Sequence, residues 1–194
     1  MSTAGVPLSA DLLLKAYRKG WFPMSHDEEG IFLHDPDPRA IFPLDTTRPN
    51  ARAIRAFRKA GFRFTHDRAF ETVMRACADR PETWMTEELL QAYVEMHRLG
   101  RAHSVEVWQG DEMVGGLYGV SLGGAFFAES MFSRVPNASK AAFFHLVAHL
   151  RSKGFGLLDS QYINDHTASL GAIEVPRTWF RTMLAQAMAL DTDF

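Results

Sequence analysis

The stretch HSVEVWQGDEMVGGLYGVSLGGAFFAESM, residues 103–131, decides the fold. Within it, residues 103–108, 113–120 and 125–131 are rich in β-branched and aromatic side chains, and short Gly-containing turns separate these runs. Runs of this kind joined by tight turns are typical of antiparallel strands. The stretch therefore predicts three consecutive antiparallel strands.

A helix and a further strand are predicted to follow. Asn137 or Ser139 is suited to cap a helix over about 139–152, residues 155–163 form a buried-looking apolar run, and a short helix around 165–170 stops at Gly171. Antiparallel strands, a helix, a strand and a terminal helix–strand unit are typical of acetyltransferase-like (GNAT-like) domains. We predict a mixed α/β (α+β) fold of that kind.

The first sixty residues differ in character from the rest of the chain. Ser9 is suited to cap a helix that reaches about Lys19, several prolines then favour an irregular connection over 21–47, and residues 48–60 have a helical pattern. We predict a small N-terminal lobe with a basic helix over 1–60 and a GNAT-like catalytic domain over 61–194.

Positive charge is concentrated in one segment, although the formal net charge of the 194-residue chain is −2. Between Arg39 and Arg63 the only acidic residue is Asp45, and the cations Arg48, Arg52, Arg55 and Lys59 recur on one face of the predicted helix. A charge run is often only a solvated face, but unopposed guanidiniums favour a polyanionic partner such as a phosphate backbone.

Compartment and metal binding are constrained by what the sequence lacks. Cys77 is the single cysteine, no secretory leader pattern or long apolar run is present, and a cytoplasmic location is expected. His145 and His149 lie four apart on a predicted helix, but the glutamate of the helical zinc motif does not follow the first histidine. We predict no metal site.

Polar residues in two apolar strands are candidates for catalysis. Asp159 and Gln161 alternate with apolar neighbours and therefore share a face, and Glu129 stands in an aromatic strand. A carboxylate paired with an amide is able to hold an amine nucleophile near an activated ester. The alternative is a structural role, with Asp159 bonding the backbone at its strand end.

Large apolar residues cluster in the sequence around these acids. The helical spacing of Phe143, Leu146 and Leu150 is typical of a core face, while a pocket for an apolar amino acid would need the same residue types. The set is completed by Phe126, Met131 and Leu158.

Several longer motifs together resemble one enzyme family. They are GRAHSVEVW (100–108), VGGLYGV (114–120), ESMFSR (129–134) and NDHTASLGA (164–172), preceded by YRKGWFP (17–23) and PDPRA (36–40). In this order they resemble the leucyl/phenylalanyl-tRNA–protein transferases.

The resemblance implies transfer of Leu, Phe or Met from a tRNA to a protein that begins with Arg or Lys, which marks that protein for N-degron proteolysis. It implies that no metal or CoA is required, so we expect no cofactor, and we expect a monomer. Asp159, Gln161 and Glu129 match the catalytic positions, and Arg39, Arg52, Arg55, Lys59 and Asn164 are predicted to contact tRNA. The implied amino-acid pocket comprises Trp84, Leu117, Phe126, Met131, Phe143, Leu146, Leu150 and Leu158.

Two other functions stay open at this point. An acyl-CoA-dependent N-acetyltransferase would need a glycine-rich turn for the pyrophosphate, whereas residues 133–139 contain Pro136 and no glycine. A non-enzymatic tRNA-binding module would keep the basic helix but tolerate loss of Asp159.

Overall fold

The structure is a computed structural model that describes residues 8–26, 30–80 and 85–194. Its helices are α1 (Ala10–Arg18), α2 (Ala51–Ala60), α3 (Phe70–Ala78), α4 (Glu87–Arg98), α5 (Ala138–Ser152), α6 (Asp165–Leu170) and α7 (Arg177–Met188). Its strands are β1 (Phe22–His26), β2 (Gly30–His34), β3 (Arg39–Ile41), β4 (Arg63–His66), β5 (Ala102–Gln109), β6 (Glu112–Leu122), β7 (Ala125–Ser133), β8 (Leu157–Gln161) and β9 (Ile173–Val175).

Seven strands form the main sheet, in the order β4-β5-β6-β7-β8-β3-β9. Neighbouring strands are antiparallel except β7 and β8, which run parallel because α5 connects them as a crossover. The expected mixed α/β fold is confirmed, with three consecutive antiparallel strands followed by a helix and a further strand. The strands β1 and β2 form a separate hairpin.

The sheet separates two apolar layers. Helices α1, α3, α4 and α7 cover one face, where Tyr17, Tyr93 and Phe127 are buried, and we call this layer the multi-helix face. Helix α5 covers the opposite layer, where Phe126 and Leu146 are buried, and we call it the α5 face. Successive residues of β7 thus belong to opposite faces, as strand geometry requires.

Glycines in β6 permit close approach of backbones. A Cβ on Gly115 would lie 2.6 Å from the Cβ of Ala138, at the first turn of α5. A Cβ on Gly119 would lie 2.2 Å from the Phe127 carbonyl oxygen. Both distances are far below van der Waals contact. The glycines of VGGLYG therefore serve packing within a strand and do not form a phosphate-binding loop.

Some local elements differ from the predictions. Helix α3 starts at Phe70 after Ala69 without a side-chain cap, and the nearby Asp67 carboxylate accepts hydrogen bonds from the Ser104 N–H and from His103. The strand β3 lies in the main sheet between β8 and β9. The division of the chain at residue 60 stays a prediction.

Within residues 8–26, 30–80 and 85–194, no helix is long and apolar enough to cross a membrane.

Candidate functional site

A β-bulge in β7 sets the position of Glu129. Tyr118 of β6 pairs with Ser130 and Gly119 pairs with Ala128, so Glu129 has no partner across the ladder. A bulge of this type turns two successive side chains to one face and reverses the alternation beyond them. Met131 consequently packs on the α5 face, whereas Glu129 is directed to the multi-helix face.

The Glu129 carboxylate accepts hydrogen bonds from two different elements. Its Oε1 accepts from Gln161 Nε2 at 2.8 Å, and its Oε2 accepts from the Tyr93 hydroxyl at 3.1 Å. The Tyr93 hydroxyl also contacts that of Tyr17. Burial raises the pKa of Glu129 to about 7, because the charged form loses hydration, although its hydrogen bonds oppose the rise.

Asp159 forms a bidentate ion pair with Arg39. The carboxylate oxygens accept from Arg39 Nε at 2.8 Å and Nη2 at 2.6 Å, and both side chains are fully buried. Arg39 Nη1 donates to the Gly20 carbonyl, and the guanidinium lies over the rings of Phe22 and Phe180. Burial alone would lower the pKa of Arg39, but the charge and hydrogen bonds of Asp159, together with the charges of Glu129 and Asp35, outweigh it, and the pKa is raised from its ordinary value.

Gln161 links the two acids. Its backbone N–H donates to Asp159 Oδ1 at 3.1 Å while its side-chain amide donates to Glu129. The residue has φ of 66°, a left-handed conformation that a non-glycine residue adopts only when its surroundings hold it there. Asp159 therefore helps to fix the backbone that aims the Gln161 amide.

The parallel strands β7 and β8 separate at this position. Their paired residues run from Ala125 and Leu157 to Phe127 and Asp159, and no pair is formed beyond. Past that point the Gln161 side chain reaches across to Glu129. The opening between the carboxyl ends of two adjacent strands is a common location for ligands in α/β sheets.

The predicted amino-acid pocket residues form one cluster on the α5 face. Leu117, Phe126, Phe143, Leu146, Leu150 and Leu158 are all at most 2% exposed, and the partly buried Met131 packs against them. They lie across the sheet from the Asp159 carboxylate, whose partner Arg39 packs on Phe22 and Phe180 of the multi-helix face. Trp84 lies outside the described residues.

Three of the predicted tRNA contacts are exposed on α2. Arg52, Arg55 and Lys59 are exposed, and within the part of the chain that the structure describes none of them forms a salt bridge. Asn164 is exposed as well, where its side chain accepts from the Thr167 N–H and caps α6.

The burial of Arg39 contradicts its predicted role in tRNA binding. Arg39 was expected to contact tRNA, but its side chain is fully buried and its donors are used by Asp159 and Gly20. A buried guanidinium cannot reach a phosphate, so Arg39 belongs to the interior of the site. The contributions of Tyr17 and Tyr93 were missed, because their positions 76 residues apart give no local signal of contact.

His145 and His149 lie in an aromatic and imidazole cluster away from Glu129. His145 Nε2 is 3.0 Å from His66 Nε2, and the ring of His149 is packed against His66 and Phe194. Burial lowers the pKa of His145 and of His149 to about 4, so both are neutral at pH 7. In the described residues, no group of three or more His, Cys, Asp or Glu side chains has a geometry suited to a metal ion.

Comparison with known proteins gives matches over most of the chain. Residues 41–185 match the family model described as leucyl/phenylalanyl-tRNA protein transferase, and residues 7–37 match that of its N-terminal domain. A leucyl/phenylalanyl-tRNA–protein transferase from Gloeobacter violaceus is 50% identical over 190 residues, which cover 97% of this chain and 98% of the relative. One from Paramagnetospirillum magneticum is 51% identical over 189 residues, 94% of this chain and 90% of the relative.

Two solved structures resemble the chain distantly. L-PGS from Bacillus licheniformis aligns with a TM-score of 0.46 at 16% identity, over 67% of this chain and 48% of the other. An aminoglycoside acetyltransferase from an uncultured soil metagenomic sample aligns with a TM-score of 0.42 at 13% identity, over 63% of this chain and 86% of the other.

Proposed function

Because the chain belongs to the leucyl/phenylalanyl-tRNA–protein transferase family, an aminoacyltransferase family, we propose that it joins Leu, Phe or Met from a tRNA to the N-terminal Arg or Lys of an acceptor protein. The observation that carries the site assignment is the Glu129–Gln161 bridge across the opening between β7 and β8. The product would carry a new N-terminal residue of the kind read by N-degron proteolysis, and supply of the donor by translation makes the cytoplasm the expected compartment.

The reaction requires little covalent chemistry from the protein. The acceptor nitrogen attacks the ester carbonyl carbon, the new C–N bond forms, the bond to the ribose oxygen breaks, and the amine proton passes to that oxygen. The ester is already activated, so positioning and removal of a proton from the ammonium group are the main requirements. No cofactor enters this scheme.

Glu129 and Gln161 are the proposed groups that meet the acceptor amine. A carboxylate with a pKa of about 7 is well matched to take a proton from an α-ammonium group near neutral pH. The Gln161 amide, held by Glu129, leaves its side-chain oxygen able to accept a hydrogen bond from the same amine. The two residues together would orient the nitrogen lone pair toward the ester.

Asp159 is proposed as a positioning residue. Its carboxylate is fully buried and bonded to Arg39 and to the Gln161 N–H, so direct contact with the amine is blocked. This replaces the expectation that the Asp159 carboxylate itself acts on the acceptor. Its effect on the reaction passes through the conformation of Gln161.

The acceptor preference is tested with peptides that differ only in their first residue. The purified protein, radiolabelled Phe-tRNA and peptides beginning with Arg, Lys, Ala or Glu are the components. We expect transfer to Arg and Lys peptides and none to an N-acetylated Arg peptide, which lacks the nucleophile. Equal transfer to the Ala and Glu peptides would contradict the proposed acceptor class.

The donor amino acid is proposed to enter the α5-face cluster. A phenylalanine side chain needs more volume there than leucine, so Leu146→Phe and Leu117→Phe should lower kcat/KM for Phe-tRNA more than for Leu-tRNA. One misplaced methylene in an apolar pocket is worth ~1–3 kcal/mol, so the ratio should change by about tenfold or more.

Leu157→Phe provides the matched control for these variants. Leu157 is buried in the same strand as Leu158, but it packs on the multi-helix face. The added volume is identical, and the donor ratio should stay at the parental value. An unchanged ratio in folded Leu146→Phe and Leu117→Phe would mean that the α5-face cluster is ordinary core.

The alternative CoA-dependent activity is disfavoured by the turn between β7 and α5. Two of the N–H groups at the start of α5 are already used, since Ser139 donates to the Ser133 hydroxyl and Ala138 donates to the Val135 carbonyl. A pyrophosphate at that turn would have to displace these bonds.

A further inference from the structure

A cavity of about 710 Å³ lies on the α5 face of the sheet, where Phe144 and Leu170 are among its lining residues. Its walls come from the loop before α2, from α2 itself, from the start of α5 and from the end of α6. Helix α5 follows the strand that carries Glu129, and α6 follows the strand that carries Gln161. Two of the cavity's walls therefore come from the helices that directly follow these two strands. We call it the α2–α5 cleft.

The α2–α5 cleft is cationic. Arg48, Arg52 and Lys140 line it, and no Asp or Glu is among its lining residues. None of these three cations forms a salt bridge within the described part of the chain. The first turns of α2 and α5 also contain no acidic side chain, so no carboxylate there offsets the positive charge of the cleft.

A buried hydroxyl in the wall lacks a partner. Thr47 lines the cleft and is only 5% exposed, and its Oγ1 has no hydrogen-bond partner among the described residues. A buried polar atom without a partner costs about 1–3 kcal/mol, so its retention calls for an explanation. An external acceptor such as a phosphate oxygen would satisfy the hydroxyl.

The cleft also continues into the exposed basic face of α2. Arg52 belongs both to the cleft and to the exposed series with Arg55 and Lys59, which a regular helix places on one side. A continuous track of cations fits a chain of phosphates better than one isolated anion.

We propose that the α2–α5 cleft binds a backbone phosphate of the donor tRNA, with Lys140, Arg48 and Arg52 as cationic contacts and the Thr47 hydroxyl as a donor. The inference rests on the proposed function, because it assumes that the polyanion is the donor tRNA. It adds a phosphate site on α5 and on the loop before α2, separate from the amino-acid pocket. The cleft positions the RNA and carries no base readout.

The test compares two donors and two lysines on one helix. Phe-tRNA carries backbone phosphates, whereas 3′-O-phenylalanyl-adenosine presents the same ester without them. Lys140→Gln changes the cleft, and Lys153→Gln removes the same charge at the C-terminal end of α5. Filter binding gives Kd for Phe-tRNA across a salt series, and kcat/KM is measured for both donors with an Arg-initial peptide.

Lys140→Gln should weaken Phe-tRNA binding by about 3- to 10-fold and flatten the slope of log affinity against log salt by roughly 0.7. Transfer from phenylalanyl-adenosine should stay within about twofold of the parent, because that donor has no phosphate to lose. Lys153→Gln should leave both donors unchanged.

Thr47→Val provides a second, independent test, because this substitution does not change the charge of the cleft. Valine has nearly the same shape and removes the unpartnered hydroxyl, so the Tm of the free protein should rise. The same substitution should weaken Phe-tRNA binding, because the proposed phosphate donor is gone. A higher Tm with weaker tRNA binding is the signature of a hydroxyl kept for a ligand.

Three results would overturn the proposal. They are equal losses of tRNA affinity in Lys140→Gln and Lys153→Gln, equal losses of transfer from both donors in Lys140→Gln, and unchanged tRNA affinity in both Lys140→Gln and Thr47→Val. A parent protein that bound Phe-tRNA through the cleft but transferred from neither donor would refute the proposed function and support the cleft assignment.

Discussion

Asp159→Ala will destabilise the fold by ~3–5 kcal/mol, because it leaves the fully buried Arg39 guanidinium without its counter-charge. It will also reduce transfer by ~10²–10⁴-fold, the usual worth of an orienting or proton-transfer group, because the Gln161 backbone loses the acceptor that holds it. Chemical denaturation and single-turnover transfer measure the two effects separately. The folded fraction of the variant must be established before rates are compared.

The double variant Arg39→Met with Asp159→Leu separates stability from positioning. Replacing a buried ion pair by apolar side chains of similar size is often neutral or stabilising, so the double variant should recover most of the lost stability. It should remain as inactive as Asp159→Ala, since no acceptor for the Gln161 N–H is restored. Recovery of transfer together with stability would show that Asp159 is purely structural.

Glu129→Gln will abolish most transfer, with an expected loss of ~10²–10⁴-fold. The glutamine amide has a single acceptor oxygen, so it cannot accept from both Gln161 Nε2 and Tyr93 as the carboxylate does. In the parent, kcat/KM should rise with pH and level off above the Glu129 pKa of about 7. The part of this rise in kcat/KM that is due to Glu129 should be missing in the variant. The part that is due to titration of the acceptor amine is common to both proteins.

The same pKa gives a stability signature. The pKa of Glu129 is about 7 in the folded protein and near its ordinary value of 4.5 when the protein is unfolded. The folded state therefore binds the proton more tightly, which stabilises the fold at low pH. This stabilisation is lost as pH rises from about 4.5 to about 7. The decline should be shallower in Glu129→Gln. An identical pH dependence of rate and stability in both proteins would remove Glu129 from the proposed chemistry.

Strand periodicity was enough to place Asp159 and Gln161 together, because alternation is a local property of the chain. The antiparallel strands likewise followed from the turns between them. These features depend on neighbours within a few residues.

What the sequence did not predict depends on long-range contacts. Arg39 pairs with a residue 120 positions away, so its place in a basic segment suggested a surface role that its burial contradicts. The bulge at Glu129 moves Met131 to the α5 face, and simple alternation would have placed both on one face. Strand β3 lies between β8 and β9 in the sheet. This position depends on pairing with strands that are distant in the sequence, so local sequence patterns do not predict it.

The central claim is that Glu129 and Gln161 act in aminoacyl transfer from tRNA to a protein N-terminus. The most direct measurement mixes Phe-tRNA with an Arg-initial peptide, and follows the product mass for the parent and for Gln161→Ala, with Leu157→Phe as a folded control. We predict a peptide longer by one N-terminal phenylalanine with the parent and with Leu157→Phe, and a rate at least about 100-fold lower with Gln161→Ala. Parental transfer by a folded Gln161→Ala, or an unmodified peptide with the parent, would contradict the claim.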